Sequence, residues 1–147
     1  MSGRNKVAIW AAASAGLMVV GALGPWVKAF GFVSVSGTDG DGVIVLIAGL
    51  FVGGAVLLQR ERTRIWVAAI GILAALLGAT TAIYDIANIK SVAGNAAATV
   101  GWGLWLDVLA SISAVVALLV FAWAGRPEKV APTLYKATPV DGELVRN

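Results

Sequence analysis

Residues 101–125 read GWGLWLDVLASISAVVALLVFAWAG. The run is apolar enough to cross a bilayer, which takes ~20 such residues, yet it carries one charge, Asp107. At helical spacing Gly103, Asp107, Ala110, Ser111 and Ala114 share one small, weakly polar face. Leu104, Val108, Ile112, Val115 and Leu119 fall largely on another. A carboxylate facing lipid at mid-depth costs ~2.5–3.5 kcal/mol, so the Asp107 face is expected to turn into a bundle. Trp102 and Trp105 mark one end of this helix and Trp123 the other, as interfacial anchors.

The rest of the chain has the composition that such a segment requires. Of 147 residues, 59% are hydrophobic and 13% charged, whereas a soluble domain carries about 25% charged residues. A mean hydropathy of +0.88 agrees. The excess of positive charge, +3 overall, is spread over the flanks of apolar segments and not gathered into a basic stripe with aromatics, so nucleic acid is not an expected partner. The chain has no Cys and no His. Thiol redox chemistry, imidazole-dependent nucleophiles, and thiolate or imidazole metal and haem ligation are thereby removed. An enzyme would have to run on Asp85, Asp107, Tyr84 and lysines alone, so no catalytic activity, cofactor or metal is expected.

Three further apolar segments precede the last. Val7 to Gly24 follows a short basic head, with Trp10 at its inner and Trp26 at its outer end as anchors. It is longer than the ~7–15 residue core of a signal peptide, and Pro25 stands where cleavage would fall, so it reads as a retained span. Val43 to Leu58 is sixteen residues and contains Gly49 and Gly53 in GxxxG spacing, a device for close helix approach that serves internal packing or homodimerisation. Ile65 to Tyr84, with Trp66 as its inner anchor, places Gly71, Ala75, Gly78 and Ala82 on one stripe. Segments two and three are expected to meet through Gly49, Gly53, Gly71 and Gly78. The outer end of segment three turns polar at Thr80, Thr81, Tyr84 and Asp85. Because the chain reverses afterwards, those hydroxyls are expected level with Asp107 and able to bond it, with Lys28 and Lys90 as alternative partners.

The connections complete the expected architecture. After Pro25 ends the first helix, Phe30 to Ser36 (FGFVSVS) alternates as a short strand or hairpin does. TDGDG, residues 38–42, spaces Asp39 and Asp41 as alternate oxygen ligands but lacks the further ligands and closing Glu of a calcium loop, and reads as a Gly-rich turn with a capping Asp. QRERTR, residues 59–64, is a basic turn. Residues 86–100 form a small-residue loop with room for one or two more helical turns, and 126–147 a polar tail, expected to be disordered. The fold class is thus an all-α membrane protein, a four-transmembrane-helix bundle over residues 1–125 with a short extended segment or hairpin in the first external loop. Lys and Arg number two in the head, one, three and one in the successive loops, and four in the tail, so alternate sides hold nine and two. That bias places both termini in the cytoplasm and the chain in the plasma (inner) membrane.

The GPW of residues 24–26, the SVSGTDGDG of residues 34–42 and the GWGLW of residues 101–105 resemble a loose group of small four-helix membrane proteins of actinobacteria, mycobacteria included. The likeness covers most of the chain except the tail and implies topology, not activity. Two functional readings follow from the residues. One is a non-enzymatic accessory or scaffold protein packing against a larger membrane complex or itself, in the lipid bilayer. The other is a small transporter or permeation subunit in which Asp107 takes a proton or cation.

Overall fold

The computed structural model of the chain describes residues 3–29, 33–61, 65–92 and 98–124. The tail at 126–147, Phe30 and the arginines Arg62 and Arg64 lie outside the described residues, as does the side chain of Lys90. Four helices dominate: α1 Gly3–Leu23, α2 Gly42–Glu61, α3 Ile65–Val92 and α4 Trp102–Ala124. Each is long and apolar enough to cross a membrane. The helices overrun the apolar runs where no Pro or Gly cluster stops them. α1 takes in part of the basic head, and α2 continues through Gln59 to Glu61, which removes the apparent shortness of the second segment. α3 adds two turns beyond Tyr84.

α1 packs against α4 and α2, and α3 against α2 and α4, whereas α2 and α4 lie across the diagonal and barely touch. This is an antiparallel ring of four with one seam of core residues. The seam is built mainly from small side chains: Ala11, Ala15 and Ala22 of α1, Ala48 and Ala55 of α2, Ala68, Ala75 and Ala82 of α3, and Ala110, Ala114 and Ala117 of α4. Met18, Val52 and Leu118 fill the wider gaps. Large aliphatics point outward on every helix, among them Leu17, Leu50, Leu57, Leu73 and Leu109. Small residues inside allow close backbone approach, which is how helices associate when the surroundings are as apolar as their side chains. The α3 stripe of Gly71, Ala75, Gly78 and Ala82 is buried throughout, as its spacing predicts. The face of α4 that holds Asp107 is buried too, and Leu104 and Val108 of the other face join it, since α4 is covered by α1, α3 and strand β1 together.

The glycines of α3 meet α2 as expected, whereas those of α2 have other partners. A Cβ on Gly49 would lie 3.1 Å from Met18 Cβ and 3.3 Å from Ala15 O, and one on Gly53 3.8 Å from Ala15 Cβ, so the GxxxG face of α2 meets α1 and not α3. A Cβ on Gly71 would lie 3.0 Å from both Ala55 of α2 and Leu118 of α4, and one on Gly78 2.9 Å from Met18 Cε, 3.1 Å from Ser111 Oγ and 3.7 Å from Ala48 of α2. Each helix has two neighbours, and spacing alone defines a face without saying which neighbour it meets.

A small sheet closes the end where α1 stops. Gly24 N–H bonds Val20 O at 3.1 Å and Gly21 O at 3.0 Å, and Pro25 then blocks continuation of the helix. The chain leaves as β1 Pro25–Ala29, pairs antiparallel with β2 Val33–Ser36, and accepts β3 Ala98–Val100 on its other edge. The strand order is β2-β1-β3. The expected hairpin is present but reaches back to Pro25, and the third strand, drawn from the α3–α4 connection, is an addition to the expected fold. Asp39 does cap, but it caps the short 3-10 turn Gly37–Asp39: its Oδ2 accepts from Ser36 N at 3.2 Å while Ser36 Oγ accepts from Thr38 N at 3.4 Å.

Candidate functional site

Asp107 lies on the second turn of α4 and is 0% exposed. Its carboxylate rests on the bare backbone of Gly21 in α1. A Cβ on Gly21 would overlap Asp107 Oδ1 and stand 2.7 Å from its Cγ and 2.9 Å from Gly103 O. Reciprocally, a Cβ on Gly103 would stand 2.7 Å from Gly21 O and 2.9 Å from Gly24 C. The two helices cross here backbone against backbone, and the carboxylate is held at that crossing. One turn deeper on the same face is Ser111, also 0% exposed, whose hydroxyl is turned to Gly78 of α3.

Trp26 roofs this crossing. It is 5% exposed, and its indole N–H donates to Gly21 O at 3.2 Å. The same indole lies beside the Asp107 carboxylate without completing a hydrogen bond to it. Glycines from two connections close on Trp26, Gly37 against the ring and Gly101 against its backbone and that of Pro25. A Cβ on Gly37 would collide with the Trp26 indole nitrogen and stand 2.5 Å from Ala22 O, and one on Gly101 would collide with Pro25 O. Gly101 N–H bonds Trp26 O at 2.6 Å, and Gly37 N–H bonds Gly24 O at 3.1 Å. The GPW, SVSGTDGDG and GWGLW stretches, far apart in the chain, therefore converge on one indole and one carboxylate.

The expected hydroxyl partners are not brought to Asp107. Thr80 is exposed and its hydroxyl bonds back to Leu76 O at 2.8 Å, Thr81 is half-buried, and Tyr84 is 65% exposed. Among the described residues neither carboxylate oxygen of Asp107 has a hydrogen-bond partner, and nor does the Ser111 hydroxyl. Ala82 is the residue of that α3 turn that faces inward, because it continues the buried Gly71-Ala75-Gly78 stripe. Lys28, the other expected partner, is exposed on β1. The polar contacts between α1 and α4 are instead lower down. Trp10 Nε1 donates to Ser113 Oγ at 2.9 Å, and Ser14 Oγ lies 2.9 Å from the same oxygen. Near the far end Arg4 donates to Gln59 O at 3.1 Å and lies 5.4 Å over the Phe121 ring. Asp107 thus marks the α1–α4 crossing, a correction to its expected bond with the hydroxyls of segment three, although α3 and α4 do pack together.

Five of the six tryptophans lie at the surface: Trp10, Trp66, Trp102, Trp105 and Trp123 are all exposed, Trp66 at 80%. Trp26 is the exception and belongs to the core. Gly21 and the buried role of Trp26 are the functional elements that the linear pattern did not disclose. The hint was there in the density of glycine at the ends of three segments, Gly21, Gly24, Gly37, Gly101 and Gly103. Asp39 and Asp41 are both exposed, and among the described residues no cluster of three or more acidic groups is arranged to hold a metal. No family model, curated protein or solved structure matches this chain.

Proposed function

We propose that the protein is a multi-pass component of the plasma (inner) membrane, with both termini cytoplasmic, acting as a non-enzymatic accessory or scaffold for a larger membrane complex or for copies of itself. The observation that carries this reading is the inverted distribution of side-chain size. The interior is built mainly of Ala, Gly and Ser, with a few larger side chains such as Met18, Leu104 and Leu118 in the wider gaps, and the exterior is a belt of Leu, Ile, Val and Phe. An exterior of that kind suits lipid and neighbouring helices, whereas a soluble monomer buries its large aliphatics. The outer surface of α2 and α3 includes an apolar groove of about 450 Å³ lined by Leu50, Phe51, Gly54, Leu58, Val67 and Ile70. The candidate site supports a structural role, since Asp107 is fully buried where α1 and α4 cross. Gentle-detergent purification of the tagged protein from its native membrane is expected to yield a stoichiometric partner, or a defined oligomer by mass measurement. A solitary monomer with no co-purifying protein speaks against the scaffold reading.

One observation favours the second reading, a small permeation subunit with Asp107 as a proton or cation site. Buried polar groups are nearly always hydrogen-bonded, and here a buried carboxylate has no partner on either oxygen.

A further inference from the structure

We propose that Asp107 and Ser111 form an occluded site for one monovalent cation, a metal ion or a proton, bound through oxygen. The proposal deepens the second functional reading and rests on it. Three oxygens, both of Asp107 and the one of Ser111, are buried without a hydrogen-bond partner among the described residues. They stand one helical turn apart on a single face of α4, where side chains four residues apart are neighbours. The two helices that cover this face present glycine to it. Gly21 leaves its backbone against the carboxylate, and Gly78 lets α3 close on Ser111, where an added Cβ would come within 3.1 Å of the hydroxyl and 2.9 Å of Met18 Cε. Larger residues at either position would fill the space that the oxygens occupy.

The protein supplies no described positive charge to this carboxylate. On α1 the cations are Arg4 and Lys6, at the opposite end of the helix from Gly21. On β1, Lys28 is exposed, and on α3 the described charged side chain is Asp85, which lies near Asp41 of the α1–α2 connection and adds negative charge. Tyr84 faces outward. A buried charge is normally paired or bound to an ion, and among the described residues no cation neutralises this one. One carboxylate balances one unit of charge, whereas divalent ions take six or more oxygens and usually several carboxylates. The Trp26 indole, wedged between Gly21, Gly37 and the carboxylate, is the group that closes the site toward the sheet.

Dicyclohexylcarbodiimide, an apolar reagent that adds to carboxyl groups in membranes, tests the proposal on the full chain in vesicles of phosphatidylcholine and phosphatidylglycerol. Vesicle flotation and resistance to carbonate extraction report insertion separately, so a failure of the membrane reading shows there and not in the labelling. The expected result is modification of Asp107, located by peptide mass spectrometry and absent from Asp107→Asn. At constant pH and ionic strength, NaCl, LiCl or KCl in place of choline chloride is expected to suppress it. Ser111→Ala is expected to raise the half-protecting concentration about tenfold, as loss of one ligand to a charged centre would. Labelling that falls as pH rises and ignores all three metal ions assigns the site to a proton. Absence of labelling at Asp107, or labelling indifferent to pH and to every ion, overturns the proposal and leaves the residue a packing element.

Discussion

Gly103→Leu is expected to abolish the folded bundle, while Gly54→Leu leaves it intact. Both glycines sit in helices long enough to span a membrane, and both substitutions improve helix propensity and apolarity, so any difference must come from tertiary contact. At Gly103 the first added carbon would meet the backbone of α1 at Gly21 O and Gly24 C, 2.7 and 2.9 Å away. Backbone atoms in two packed helices cannot turn aside as a side-chain terminus can. Overpacking a well-filled site costs about 1–3 kcal/mol when side chains adjust, and here the helices themselves must separate, releasing Asp107 and the Trp26 indole at the same time. At Gly54 nothing lies within 4 Å of the added carbon. Monodispersity on size exclusion in mild detergent, followed by thermal melting, distinguishes the two. Equal behaviour of the two variants would show that α1 and α4 do not cross at Gly21.

Trp26→Ala is expected to cost about 3–5 kcal/mol, the range for removing a buried large aromatic. The same change at Trp66 or Trp123, which are 80% and 73% exposed, is expected to leave the detergent melting temperature nearly unchanged. The indole is the only large side chain lodged between the sheet and the bundle among the described aromatic residues, and its loss leaves Gly21 O without its indole donor and uncovers the carboxylate. A melting series over the six single Trp→Ala variants places Trp26 apart from the other five. A flat series would mean that Trp26 is an interfacial anchor like the rest.

Much of this arrangement is legible in the linear pattern. Four apolar runs punctuated by Pro, Gly and basic residues give the helices, and the recurrence of small residues at Gly71, Ala75, Gly78 and Ala82 gives the inward face of α3 correctly. The same spacing puts Asp107 and Ser111 on the buried side of α4. What spacing does not carry is azimuth. Thr80, Thr81 and Tyr84 lie near the depth of Asp107, yet a rotation of the contact from α3 to α1 leaves them without it. The glycines that decide this rotation, Gly21 and Gly103, are on separate segments and become meaningful only as a pair. β3 is missed because three small residues, Ala98 to Val100, have no alternation to read, and their pairing with Val27 to Ala29 spans some seventy residues of chain. Trp26 is misread because an aromatic beside a helix-ending proline is what an interfacial belt looks like. Its pocket is assembled from Gly37 and Ala22, which no local rule connects.

The absence of cysteine makes the central claim directly measurable. Single cysteines at Asn5 on one end of the bundle and at Ser34 or Thr99 in the sheet are probed with a membrane-impermeant maleimide on intact cells, then again after permeabilisation. All three positions are exposed, so reactivity reports sidedness and not burial. Four spans with cytoplasmic termini predict labelling of Ser34→Cys and Thr99→Cys in intact cells, and of Asn5→Cys only after permeabilisation. Labelling of Asn5→Cys from outside, or opposite sidedness of the two sheet positions, contradicts a bundle of four spans capped on its outer face by a sheet.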